Sequence, residues 1–224
     1  MKRRRDRSAG TPGRCRGHRR LGRKEGFSLI ELLSVVVVIG LLGTVAAPTF
    51  RGYMMNQKLH AATRELITNL RFARLRAVNE RNPWVVMFLV NSRSYILFAD
   101  DGGGGGLATS PQFIEDNRQN LQPDPGERVF GPHELTGGVA FGIVTADNLP
   151  NGVTTTTPVS FGGSPPKIVF YPNGSARETG VIMLQLSERI RSNDPTGQRA
   201  VILYKPTGAA RSFTWNAGGN PIWK

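Results

Sequence analysis

The nineteen residues 32–50 carry no charge at all, and this run constrains the chain more than any other feature. Wound as a helix it measures roughly 28 Å, close to the hydrocarbon thickness of a bilayer. Eleven Lys and Arg residues precede it within residues 1–26, against only Asp6 and Glu25. By the positive-inside rule that flank stays in the cytoplasm and the chain beyond the run crosses the membrane. Three readings of such a start compete. A cleaved secretory signal has a basic start, an apolar stretch and small residues at the cut, for which Ala46 and Ala47 are available. An uncleaved signal anchor needs only the flank and the run. A twin-arginine signal rests on Arg19-Arg20 alone.

Glu31 separates these readings. A carboxylate inside an insertion segment costs roughly 2.5–3.5 kcal/mol at mid-membrane, less near the interface, and usually marks a functional partner. An ordinary signal peptide gains nothing from it; the bland account leaves Glu31 among the headgroups. Charge sharpens the division of the chain. The formal net charge is +13, yet residues beyond 26 keep 18 basic and 14 acidic side chains. The excess therefore belongs mainly to the leader, and a nucleic-acid reading based on overall charge loses most of its support. The only cysteine, Cys15, lies in the same leader, so the remainder has neither disulfides nor thiolate metal sites.

The string Lys24-Glu25-Gly26-Phe27-Ser28-Leu29-Ile30-Glu31-Leu32-Leu33 resembles the type IV prepilin signal. The resemblance implies that a prepilin peptidase cuts after Gly26, that the new N-terminal Phe27 is N-methylated, and that Glu31 serves assembly. Pro48 falls where many pilins kink or locally melt this helix. Cleavage would create an ammonium on Phe27, and Glu31, four residues on, shares its helix face. In an assembled filament the resemblance implies that Glu31 pairs with the Phe27 amine of a neighbouring subunit, a register device more than a net stabiliser. Gly40 and Gly43 allow close approach between packed helices.

The helical pattern continues past Pro48. Leu59, Ala62, Leu66, Leu70, Ala73 and Ala77 recur at three- and four-residue steps as one apolar stripe. Arg64, Arg71, Arg74 and Arg76 fall mainly off it and read as a solvated face. Asn82-Pro83 stops the helix, predicted over about residues 27–79. Short β-rich runs follow at 84–90 and 95–99, joined through Asn91-Ser92-Arg93 as a hairpin. Residues 100 to about 128, with five consecutive glycines from Gly102, read as a long loop. Asp100-Asp101 hints only faintly at calcium, because spaced acidic ligands are missing. Further strands are expected at 139–144, 167–171, 180–186, 200–205 and 212–215. Turns are expected at Pro172-Asn173-Gly174 and Pro206-Thr207-Gly208. About 140 residues beyond the helix can bury a core. The expected fold is α+β: a long N-terminal helix, hydrophobic in its first half, packed on a head of antiparallel β-sheets. The expected segments are a basic leader (1–26), a transmembrane and assembly helix (27–50), an amphipathic continuation (51–82) and a β-rich head (83–224).

The head carries a second resemblance. Paired strands ending in Phe98-Ala99-Asp100, an irregular middle, Ile168-Val169-Phe170-Tyr171-Pro172-Asn173-Gly174, and a late Gly208-x-x-Arg211 are similar to the GspH/FimT family of minor pseudopilins and pilin-like proteins. The family implies two antiparallel sheets on the helix, and work in a type II secretion pseudopilus or a type IV pilus, where some members bind DNA. Those members carry Gly-Arg-x-Arg; here Ala209 replaces the first arginine and only Arg211 matches. One arginine supplies one phosphate contact, too few for tight backbone binding, although Arg189, Arg191 and Arg199 stand nearby in sequence.

An enzyme finds little support. His18, His60 and His133 form no ligand pair, and nucleophile and phosphate-loop motifs are missing. The expectation is a non-enzymatic subunit without cofactor or metal, anchored in the bacterial inner membrane by one helix with its head outside. Its partners would be the prepilin peptidase and other pilin-like subunits. The rivals are a DNA-uptake protein and an exported hydrolase with an ordinary signal peptide.

Overall fold

The computed structural model describes residues 27–100, 121–123, 127–146, 149–216, 218 and 223–224, with the backbone alone at 45–49, 51 and 151. Two compact units divide the chain, Met1–Ala46 and Ala47–Lys224. Helix α1, Leu29–Glu80, contributes its opening turns to the first and the rest to the second. Its assignment continues through Pro48, which has no N–H to offer the Thr44 carbonyl. At the far end Arg81 takes a φ of 55°, the left-handed turn that closes many helices, and Pro83 prevents resumption.

Within the second unit the expected stripe is the spine of the core. Leu59, Ala62, Leu66, Leu70, Ala73 and Ala77 are all buried. They pack with residues from two four-stranded antiparallel sheets. The first runs β3-β2-β1-β5, built from Trp84–Leu89 (β1), Ser94–Ala99 (β2), Val129–Glu134 (β3) and Lys167–Phe170 (β5). The second runs β4-β6-β7-β8, from Val139–Phe141 (β4), Gly180–Leu186 (β6), Arg199–Tyr204 (β7) and Ala209–Thr214 (β8). Alternation sorts the side chains. Trp84, Val86 and Phe88 join the stripe while Val85 and Met87 join a separate cluster with Phe98 and Val169. Likewise Ile182, Leu184, Val201 and Leu203 face the helix, whereas Val181, Met183, Ala200 and Ile202 pack with Leu149 and Trp223. Both sheets are thus apolar on both faces, which explains strands such as Trp84–Leu89 that read as unbroken hydrophobic runs.

Several sequence-based expectations need correction. The irregular stretch expected to reach residue 128 is followed at once by β3, an edge strand that was not foreseen. Gly131 and Pro132 hid it. The register with β2 slips there, with Leu97 opposite Phe130 but Tyr95 opposite His133, and a bulge on an edge is where a strand tolerates proline. His133 accordingly lies on a strand and stacks on Tyr95 at 5.3 Å. A five-residue helix α2, Ser187–Arg191, and the early start of β8 at Ala209 were also missed. Strand β4 ends at Phe141, short of residue 144. Asp101, the five glycines and the leader lie outside the described residues.

Arg74, assigned from sequence to the solvated face, instead ties the two sheets to the helix. Its Nε donates to the Gly174 carbonyl at 2.9 Å. The Gly208 turn, at a φ of +59°, closes against the same carbonyl and the Arg74 stem. The two turns belong to the two head motifs noted above, one from each sheet. Glu80 performs a similar service at the helix end. It accepts from Arg128 through both oxygens at 2.8 and 2.7 Å, from Arg76 at 3.0 Å and from Trp84 Nε1 at 2.8 Å. Phe72, Trp84 and Phe130 pack edge-on and tilted beside that fork, holding β3 to α1.

Gly208→Ala should destabilise the protein by about 1–3 kcal/mol, because a methyl there needs both a left-handed backbone and the space of the Gly174 carbonyl. Denaturant unfolding of the variant checks this. A second expectation concerns Tyr95, whose hydroxyl accepts from Asn69 Nδ2 at 2.8 Å. Burial first, with Glu65 adding to it against the Asn69 bond, pushes this phenol up to about 12. The folded state then holds a proton that the unfolded chain releases near pH 10. The stabilisation is complete below pH 10 and is lost as pH rises from 10 through 12. Two units correspond to about 3 kcal/mol, and Tyr95→Phe should flatten that part of the stability profile.

Candidate functional site

The described part of the first unit is almost wholly apolar and almost wholly exposed. Phe27, Leu29, Ile30, Leu32, Leu33, residues 35–39, Leu41 and Leu42 all stand open, from 51% exposure at Val35 to 84% at Phe27. Positions this closely spaced cover every azimuth of a helix. A helix apolar all round is one that something else must cover. Glu31 is the single acidic group in its first turn, exposed like its neighbours. Ser34 Oγ donates to the Glu31 carbonyl at 2.7 Å and Thr44 Oγ1 to Leu41 at 2.7 Å, so these hydroxyls are spent on the helix itself. Beside Gly40 and Gly43 an added Cβ would meet nothing within 4 Å. Among the described residues no helix is long and apolar enough to cross a membrane. Side chains 45–49, in the second half of the expected span, are outside that description. Gly26, the expected cleavage position, also lies outside the described residues, and Phe27 is the first residue within them.

The head distributes its cations in a way that sequence did not anticipate. Arg211 on β8 pairs across to Ile202, which packs on the face of the second sheet away from α1. Arg199 on β7 precedes Val201 and Leu203 on the opposite, helix-facing side. Arg189 is engaged elsewhere: its Nη1 donates to Asn56 at 3.0 Å and to the Thr196 carbonyl at 2.6 Å, with Asp194 at 3.6 Å from Nε. Hydrogen bonds from Thr196 hold the Asp194 carboxyl below its usual range, ahead of the attraction of Arg189. Arg191 is exposed on α2. The four arginines therefore do not converge on one surface, and Arg211 stands without the others.

Two buried glutamines are structural. Gln198 takes Val144 and Thr145 N–H groups on its oxygen at 3.0 and 3.2 Å and gives its amide to the Thr145 carbonyl at 2.7 Å. Gln185 bridges the carbonyls of Asp194 and Thr196. Burial lowers the Lys167 ammonium, with Asp100 opposing the shift. Among the described residues no group of three His, Cys, Asp or Glu side chains is placed to hold a metal ion. Sequence reasoning missed Arg74, Glu80 and Arg199 because their partners, or the lack of them, depend on elements far along the chain. The alternation Arg199-x-Val201-x-Leu203 was the one available signal that Arg199 faces inward.

Residues 62–221 match the family model described as type II transport protein GspH. No curated protein matches the chain. Among solved structures the chain is similar to the minor pseudopilin EpsH from the type 2 secretion system of Vibrio cholerae, at 11% identity and a TM-score of 0.39. That likeness covers 72% of this chain and 99% of the other.

Proposed function

The chain belongs to the type II transport protein GspH family, and from that premise we propose that it is a minor pseudopilin, a structural subunit with no reaction of its own. The precursor is anchored in the inner membrane by its single apolar helix, with the basic leader in the cytoplasm and the head outside. Prepilin peptidase cuts between Gly26 and Phe27, and the new amino terminus is methylated. The helix then leaves the lipid for the core of a pseudopilus, where it packs on the helices of other pilin-like subunits.

The observation that carries this reading is the uncovered helix start. A head with its own core has no use for a further stretch of apolar helix exposed on every azimuth. Lipid covers such a surface before assembly and neighbouring helices cover it afterwards. Glu31 adds direction to the packing. A methylated ammonium at Phe27 and a carboxylate one turn away both lose water in an apolar core, and pairing between adjacent subunits offsets that loss. The pair favours one axial register over others that would strand both charges. A filament core also has room for close helix contact where Gly40 and Gly43 leave open notches.

Glu31→Ala should reduce recovery of the subunit in sheared filaments about tenfold or more, the effect of stranding one buried charge, while the precursor is still shortened. Filament recovery equal to wild type would remove Glu31 from assembly. Gly26→Trp should leave the full-length precursor in the membrane fraction; a shortened product from that variant would displace the cleavage site.

A further inference from the structure

The helix-facing row of β7 ends in a charge. Val201 and Leu203 belong to the main core, and Arg199, two residues earlier on the same face, carries a guanidinium where the pattern calls for an apolar side chain. Its cross-strand neighbour Leu184 is a core residue too. The Arg199 Nε is buried and has no hydrogen-bond partner. On α1, beside the core residue Leu59, His60 Nδ1 is likewise buried without a partner, and the exposed Arg64 follows one turn later on the same helix face.

Among the described residues, the ion pairs of the head involve other cations and none reaches Arg64 or Arg199. The three groups feel one another: burial, then Arg199 and Arg64, lower the His60 imidazole, and burial, then Arg64, lower the Arg199 guanidinium without neutralising it. Two arginines and a histidine that repel one another, with no ion pair to an acid among the described residues, are an arrangement that costs stability, and the cost is removed when an anion enters.

We propose that His60, Arg64 and Arg199 form a carboxylate-binding notch that receives an Asp or Glu side chain of a neighbouring filament subunit. This rests on the pseudopilin reading above and adds to it a second contact, between heads, distinct from the helix core. A protein carboxylate fits better than a nucleic-acid backbone. The notch is a single recessed guanidinium with two flanking groups, whereas a phosphate backbone needs a row of exposed cations. Arg211, on the opposite face of the sheet, cannot extend it. The planar fork of Arg199 suits a two-oxygen acceptor.

Two variants of the full chain, isolated in sheared filaments, test the notch. Arg199→Met keeps the apolar stem and removes the charge. Its thermal midpoint should equal or exceed that of wild type, while its recovery in filaments falls about tenfold or more, the loss of a charge-assisted bond. Recovery within twofold of wild type overturns the proposal, and so does failure of R199M to fold, since the guanidinium would then serve its own head. Arg199→Lys, treated in the filament with a zero-length carbodiimide, should yield an amide between the new amine and an acidic residue of another subunit, read by peptide mass. A link within its own chain, or none, overturns the notch. If wild type itself never enters filaments, the pseudopilin reading fails and this inference with it; undiminished R199M beside incorporated wild type sinks the notch alone.

Discussion

The structure depends on one helix that must satisfy two surroundings. From Leu59 onward α1 presents a stripe of leucine and alanine that both sheets need as their common floor. Up to Leu42 the same helix offers apolar side chains that stand exposed. The hydrophobic effect acts on both parts in the same way, and among the described residues it is the later part that is buried. On the proposed reading, lipid and then neighbouring subunits cover the earlier part. The core of the head and the proposed function therefore both rest on a change of surroundings along one element.

The sheets are held to that helix by few polar contacts, each well placed. Ala62, Ala73 and Ala77 are buried in one cluster with side chains from both sheets. Arg74 then reaches over the rim to the Gly174 carbonyl, with Gly208 closing behind it. Since one glycine turn comes from each sheet, a single side chain joins three elements. At the helix terminus Glu80 gathers Arg76, Trp84 and Arg128, and so pins the edge strand β3 that Gly131 and Pro132 would otherwise weaken. On the outer face of the second sheet, Trp223 packs with Leu149, Val181 and Ile202, and Lys224 pairs with Thr214 through two backbone bonds of 2.6 and 3.1 Å.

Much of this was legible in the sequence because it rests on periodicity. The stripe at three- and four-residue steps, the stop at Asn82-Pro83 and the hairpin through Ser92 and Arg93 are local signals, and the structure places them as read. The α+β class follows from their order. What escaped was set by distant partners. β3 contains two residues that argue against a strand unless its edge position and bulge are known. Arg74 looked solvated because its acceptor lies a hundred residues away in sequence. The four arginines of the head looked like a possible patch until the register of β7 and β8 put Arg199 and Arg211 on opposite faces. Cleavage and methylation belong to a different category: the resemblance around Gly26, Phe27 and Glu31 proposes them, and as covalent events they would not be features of the fold.

The central claim is that this chain is made to be shortened and then buried by its own kind. Intact-mass and N-terminal peptide analysis of the protein recovered from sheared filaments tests it most directly. The account predicts a chain beginning at Phe27 and heavier there by one methyl group. A chain beginning near Pro48, or one retaining Met1, would contradict it.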